Sequence, residues 1–284
     1  MRGDQAPVLV CDGVELSFGG LKALKGISFD VQPGEIFGLV GPNGSGKTTT
    51  VNVATGFYRP NAGRVRLFGD DITGMKPDHI ARRGIARTFQ NLALFKGMTV
   101  LDNILIGRHI HMKPSALGTL FYWWWAQREE IAQRRIVEDV IEFMQLQDIR
   151  DEPVEVIPLG LQKRVELARA LVSEPRFLIL DEPMAGMNQE EKEYIARFIL
   201  DAREERGVTI LIIEHHMDVV TAICDRAVVL CNGEIIAQGP PREAIAEPAV
   251  IKAYLGERAA RRAGMAETGK GETGAGPAAG GETA

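Results

Sequence analysis

Cysteine is scarce in this chain: Cys11, Cys224 and Cys231 are the three among 284 residues, none at CxxC spacing. An odd, scattered count excludes a secreted disulfide framework and points to small buried thiols in a reducing compartment. An excess of positive charge is missing too. The formal net charge is -5, so no basic field of the kind that grips nucleic acid or anionic lipid covers the whole molecule. Long apolar runs are also lacking. Even Phe121-Tyr122-Trp123-Trp124-Trp125-Ala126 stops at Gln127, far short of the roughly 18 residues that cross a bilayer. The first ten residues carry Arg2, Asp4 and Pro7 with no apolar core, unlike a secretory signal. The protein is expected to stay inside the cell and to meet a membrane, if at all, from the surface. What is present is ordinary: 45% hydrophobic and 25% charged residues. That composition describes a globular chain of one large or two modest domains.

Residues 8–18 alternate loosely and residues 27–31 repeat the pattern before the turn pair Pro33-Gly34, which predicts two or three antiparallel strands. Glu35-Ile36-Phe37-Gly38-Leu39-Val40 is short, apolar and bounded by glycine, a buried strand with a helix expected from Gly46. Residues 177–180, 208–213 and 227–231 are β-rich, and helical segments separate the first two. This is the βαβ rhythm of a parallel sheet. Asn232-Gly233 between two apolar runs predicts a closing hairpin. Between about residues 97 and 155 the β signature lapses, and Ile131, Ile136, Val137, Val140, Ile141 and Met144 recur at helical steps. Residues 263–284 are rich in Gly, Ala, Glu and Thr and read as a mobile tail.

Gly41-Pro42-Asn43-Gly44-Ser45-Gly46-Lys47-Thr48 satisfies the P-loop pattern, placed after a predicted strand and at the mouth of a predicted helix. Such a loop points backbone N–H groups at an anion, and the helix N-terminus adds partial positive charge. Lys47 would neutralise the β- and γ-phosphates, Thr48 would offer its hydroxyl to magnesium, and Thr49 stands beside them. The strand at 177–180 ends in Asp181-Glu182. Burying acids is costly without a cation, so beside a P-loop Asp181 reads as the metal-side carboxylate and Glu182 as the group that orients or deprotonates water.

The stretch from Ile157 through Pro158-Leu159-Gly160-Leu161-Gln162-Lys163-Arg164 to Leu171 resembles the signature and helix of the ATP-binding cassette family. Phe18 stands where that family stacks an aromatic on adenine, Gln90 in Arg87-Thr88-Phe89-Gln90 is the Q-loop residue, Ala185-Gly186-Met187-Asn188 is the D-loop, and His215 is the switch histidine. The run Phe89-Gln90-Asn91 through Ile104, the signature stretch and Ala253-Tyr254-Leu255-Gly256 look like bacterial branched-chain amino-acid importer ATPases of the LivG type. The resemblance implies an α/β P-loop NTPase with an antiparallel β subdomain and an inserted helical subdomain. It divides the chain into a β subdomain and P-loop core over 1–96, a helical subdomain over 97–155, the signature helix and remaining core over 156–256, and a tail over 257–284.

It also implies ATP and Mg2+, with Gln90 serving both γ-phosphate and metal, and Gly160 serving the nucleotide across a dimer. The expected partners are a second cassette, identical or a sister, two permease subunits and, indirectly, a periplasmic binding protein, with no nucleic acid. The expected location is the cytoplasmic face of the inner membrane. Two departures stand out. The family's signature serine aligns with Pro158, which is either a plain helix-start residue or the mark of a weak signature half-site. Asn188 replaces a D-loop aspartate and removes a charge.

The remaining candidates are plainer. His109 and His111 form an H-x-H pair without further ligands at metal spacing. His216 reads as a solvated neighbour of His215. Trp123, Trp124 and Trp125 suit either a membrane or partner contact, or a packed corner of the helical insert. Arg82-Arg83 and Arg134-Arg135 read as solvated helix faces.

Overall fold

The computed structural model describes residues 6–88, 93–108 and 122–255. The opening strands β1 (Leu9–Phe18) and β2 (Leu21–Val31) form an antiparallel pair, and with β4 (Ala62–Leu67) and β5 (Asp70–Asp71) they complete a four-stranded sheet ordered β2-β1-β4-β5. A second sheet contains β3 (Ile36–Val40), β6 (Ile85–Arg87), β7 (Phe177–Asp181), β8 (Thr209–Glu214), β9 (Arg226–Cys231) and β10 (Glu234–Gly239) in the order β10-β9-β3-β8-β7-β6. All its pairings are parallel except the β9–β10 hairpin.

Strands β3, β7 and β8 are buried at every residue, as expected where both faces of a parallel sheet are covered. Their side chains alternate between two cores with the strand period of two. Phe177, Ile179, Leu211 and Ile213 join β1, β2, β4 and the helix α1 (Lys47–Ala54) in one core. Leu178, Leu180, Ile210 and Ile212 join the other core, which also takes in α3 (Val100–Ile106), α4 (Tyr122–Phe143), α5 (Leu159–Leu171) and α6 (Gln189–Arg206). A short helix α2 (Pro77–Ala81) lies before β6, and α7 (Met217–Ile223) and α8 (Pro241–Ala246) pack on the β9–β10 side.

The helical region is tied to the core by Arg108, whose side chain is 5% exposed. It donates to Val172 O at 2.8 Å, Glu174 Oε2 at 2.7 Å and Gln133 Oε1 at 2.5 Å. Among the described residues no helix is long and apolar enough to cross a membrane. Asn232 and Gly233, at φ 49° and 80°, close the hairpin as the sequence predicts. Its tip does more than turn. Gly233 N–H donates to Ser45 O at 2.9 Å and Gly233 O accepts from Lys25 N–H at 2.9 Å, which joins the hairpin to the P-loop and to β2.

Candidate nucleotide-binding site

The candidate residues converge because β3, β7 and β8 run parallel and adjacent, so their C-terminal ends open on one edge of the sheet, where open α/β sheets bind ligands. Strand β3 delivers residues 41–46 to the N-terminus of α1. Gly46, at φ 109°, is the N-cap of that helix. A Cβ on Gly41 would stand 2.2 Å from Leu230 O, so the loop passes too close to β9 for any other residue. Lys47 is buried, and its ammonium donates to Gly41 O at 2.8 Å and Pro42 O at 3.0 Å. Ser45 Oγ is buried and has no hydrogen-bond partner among the described residues. Asn43, Gly44 and Thr48 are exposed, while Pro42 and Thr49 are half-buried.

At the end of β7 the Asp181 side chain is 2% exposed and meets Arg87 Nη2 at 2.9 Å. The same guanidinium donates to Asn52 Oδ1 at 2.7 Å, so Arg87 bridges the P-loop helix and the acidic strand end. Burial pushes the Asp181 carboxyl up from the ordinary carboxylate range, while the Arg87 hydrogen bond and charge pull it down. Thr88 Oγ1 accepts the Asp181 N–H at 3.2 Å.

Glu182 follows with φ 49°, a left-handed conformation that costs a non-glycine residue about 1–3 kcal/mol and clusters at functional sites. Its Oε1 lies 3.6 Å from His215 Nδ1, so the structure brings together the two residues read as water-orienting acid and switch. His216 differs from expectation. It is half-buried, its Nδ1 lies 3.2 Å from Glu214 Oε2, and its ring stands 4.0 Å from the His215 ring. The cause is Glu214, a fully buried carboxylate at the end of β8 that draws the imidazole inward.

Phe18 is 46% exposed and meets Tyr58 edge-on at 5.1 Å. Its strand end is fixed by Asn61, whose Oδ1 accepts Ser17 N–H at 2.7 Å. Gly160 is buried in the first turn of α5, whose N-cap is Pro158 without a side-chain cap. A Cβ on Gly160 would stand 2.6 Å from Glu191 Oε1. Asn188 caps α6 by accepting Glu191 N–H at 2.9 Å, and Glu191 returns the bond at 3.0 Å. Helix α5 packs on α3, α4 and β6, whereas α1 packs on β2, so the helix that Gly160 opens and the P-loop helix bury their apolar faces in different cores.

Gln90 lies outside the described residues, as do His109, His111 and the segment 256–284. Trp123, Trp124 and Trp125 fall in the first turns of α4. The sequence reading missed Arg87 and Thr88 as partners of Asp181, and Tyr58 as the partner of Phe18. Arg87 and Thr88 were in view in the Arg87-Thr88-Phe89-Gln90 string, but nothing in that string shows that they face a carboxylate on another strand.

Comparison with known proteins agrees with this geometry. Residues 24–185 match the family model described as ABC transporter, and residues 234–260 match that of the branched-chain amino acid ATP-binding cassette transporter. The chain is 40% identical over 251 residues to the high-affinity branched-chain amino acid transport ATP-binding protein BraF of Pseudomonas aeruginosa, covering 88% of this chain and 98% of that one. The corresponding LivG protein of Escherichia coli is 37% identical over the same coverage. A solved ATP-binding cassette of an ABC transporter in its ADP conformation superposes with a TM-score of 0.78 at 37% identity, covering 88% of this chain and 99% of that one. The P-loop, the acid-bearing strand ends and the relatives together place the chain in the ATP-binding cassette family of ABC transporters, in its branched-chain (LivG-type) group.

Proposed function

We propose that this chain is the ATP-hydrolysing subunit of an importer for branched-chain or related amino acids, working at the cytoplasmic face of the membrane through partner permease subunits. The observation that carries the reading is the meeting, at one sheet edge, of the Lys47 loop, Asp181 and the Glu182–His215 pair. Residues 41–46 and the N-terminus of α1 receive the phosphates, Lys47 leaves the loop carbonyls for the β- and γ-oxygens, and Ser45 Oγ gains the partner it lacks. Phe18 stacks the adenine. Glu182 takes a proton from the attacking water, and His215 steadies the γ-phosphate beside it.

Magnesium fits the donor set: the Thr48 hydroxyl and the Asp181 carboxylate are hard oxygens of the kind that ion takes, with Gln90 as a further oxygen ligand. Bound there, the ion would neutralise phosphate charge.

The helix that Gly160 opens packs into the other core from the P-loop helix, and on this reading the signature turn serves the nucleotide of a second cassette, identical or a sister. An apolar groove of about 440 Å3, lined by Phe57, Ile80, Thr88, Ala93 and Phe95 among others, offers a permease a docking surface. A soluble cassette acting on nucleic acid is disfavoured by the net charge of -5.

The test is uptake of labelled leucine into vesicles holding the chain with its permeases. ATP-dependent uptake that K47A abolishes is expected. Uptake of another solute but not of branched-chain amino acids would overturn the cargo. Recovery of nucleic acid and no permease with the purified chain would overturn the class.

A further inference from the structure

Glu214 is the most deeply placed acid near the site: it is fully buried, and among the described residues its Oε1 has no hydrogen-bond partner. Its Oε2 accepts the His215 N–H at 3.3 Å and lies 3.2 Å from His216 Nδ1. A buried carboxylate so weakly matched calls for positive charge nearby. Among the described residues that carboxylate and the two imidazoles also form a group of potential metal ligands, with one atom from each of Glu214, His215 and His216 within 4.8 Å of the others.

We infer that Glu214, His215 and His216 form a binding site for a zinc-class transition metal, and that filling it withholds His215 from the nucleotide. Two imidazoles and a carboxylate favour zinc over magnesium or calcium, which prefer all-oxygen shells. Zinc bonds to nitrogen and oxygen of about 2.0–2.1 Å set the edges of a tetrahedron at roughly 3.3–3.4 Å. The 3.2 Å between Glu214 Oε2 and His216 Nδ1 is close to that length. The His215 side chain, 40% exposed, closes the remainder by turning about its own bonds. Three protein ligands leave the fourth position open to water. The ion would supply the charge Glu214 lacks and would compete with Glu182 for the His215 ring. The binding claim stands on this geometry alone, while the inhibitory consequence rests on the role proposed for His215.

The experiment is calorimetric titration of the nucleotide-free protein with Zn2+, together with the visible absorption of Co2+ in the same protein. Wild type is expected to bind one ion per chain with tetrahedral cobalt bands. H216N should weaken binding more than about tenfold, since even outer partners of a metal are worth ten- to a hundredfold. The double variant H109N/H111N should bind as wild type. Unchanged zinc affinity in H216N, or loss of the site in H109N/H111N, overturns the proposal, the latter by moving the metal to the H-x-H pair. In the turnover arm, Zn2+ should slow ATP hydrolysis by wild type and spare H216N, and equal inhibition of both overturns the withholding of His215. A zinc-free wild type unable to hydrolyse ATP would instead sink the ATPase reading and leave the titration result standing.

Discussion

Two neighbouring strands of the same sheet each end in a buried acid, and the two ends are furnished differently. Asp181, closing β7, meets an arginine that reaches it from β6 and is itself anchored to the P-loop helix. Glu214, closing β8, has among the described residues an imidazole and a backbone N–H as hydrogen-bond partners, with one oxygen unpartnered. The first end is electrostatically closed and held rigid for chemistry. The second is left short of positive charge, and the residue beside it is the one read as the switch. A sheet can thus set a fixed carboxylate and an adjustable one side by side through what the adjacent segments supply.

The comparison breaks most sharply at β7. E182Q, which keeps shape and removes the base, should lower ATP hydrolysis by about 10²- to 10⁴-fold while ATP still binds, measured as turnover against nucleotide affinity. Turnover at the wild-type rate would take the base away from Glu182.

R87M removes the cation from a side chain that is 2% exposed, and breaking a buried pair from one side costs about 3–5 kcal/mol. Urea unfolding should show that loss. A change below about 1 kcal/mol would mean that Asp181 needs no counter-charge.

Buried thiols give the limiting case of a group with no counter-ion at all. Burial pushes Cys11 up to about 12 and raises Cys224 as well, there with help from Asp225, Glu214 and Glu35. The unfolded chain ionises its thiols from about pH 8.5 while the folded chain holds those protons. Stability is therefore complete below that pH and falls as pH rises toward 12, by about 1.4 kcal/mol per unit for each thiol. The slope of unfolding free energy between pH 9 and 11 should flatten by about that amount in C11A.

The smallest effect belongs to β8. E214Q keeps the shape and both acceptor contacts but removes an under-compensated charge, so its stability should stay within about 1 kcal/mol of wild type. A loss as large as that of R87M would erase the distinction between the two strand ends.

What the sequence made legible follows from how local each feature is. The phosphate loop from Gly41 to Thr48 could be read because strand, loop and helix are consecutive in the chain, although the close approach that requires Gly41 comes from Leu230 on a distant strand. Strands β3, β7 and β8 could be read because they are buried on both faces and so run apolar without interruption. The short strands β4, β5 and β6 could not. β4 exposes four of its six residues and β5 both of its two, while β6 has three residues, so pairing rather than pattern defines them. Arg87 with Asp181, and Tyr58 with Phe18, meet only after folding brings separate segments together. His216 was misjudged as solvated because a histidine after a strand gives no hint that a buried acid two residues earlier will draw it in.

The hairpin tip at Gly233 sets an order of events on the ribosome. Its N–H holds the carbonyl of Ser45 and its own carbonyl holds Lys25, so the nucleotide loop, made early in synthesis, leans on a turn made late. A Cβ at Gly233 would stand 2.5 Å from Ala23 O, which leaves little room for another residue to make the same join. The emerging chain therefore carries a complete phosphate-loop sequence long before it carries a complete phosphate loop. A chain stalled short of Gly233 would lack the clasp that closes it.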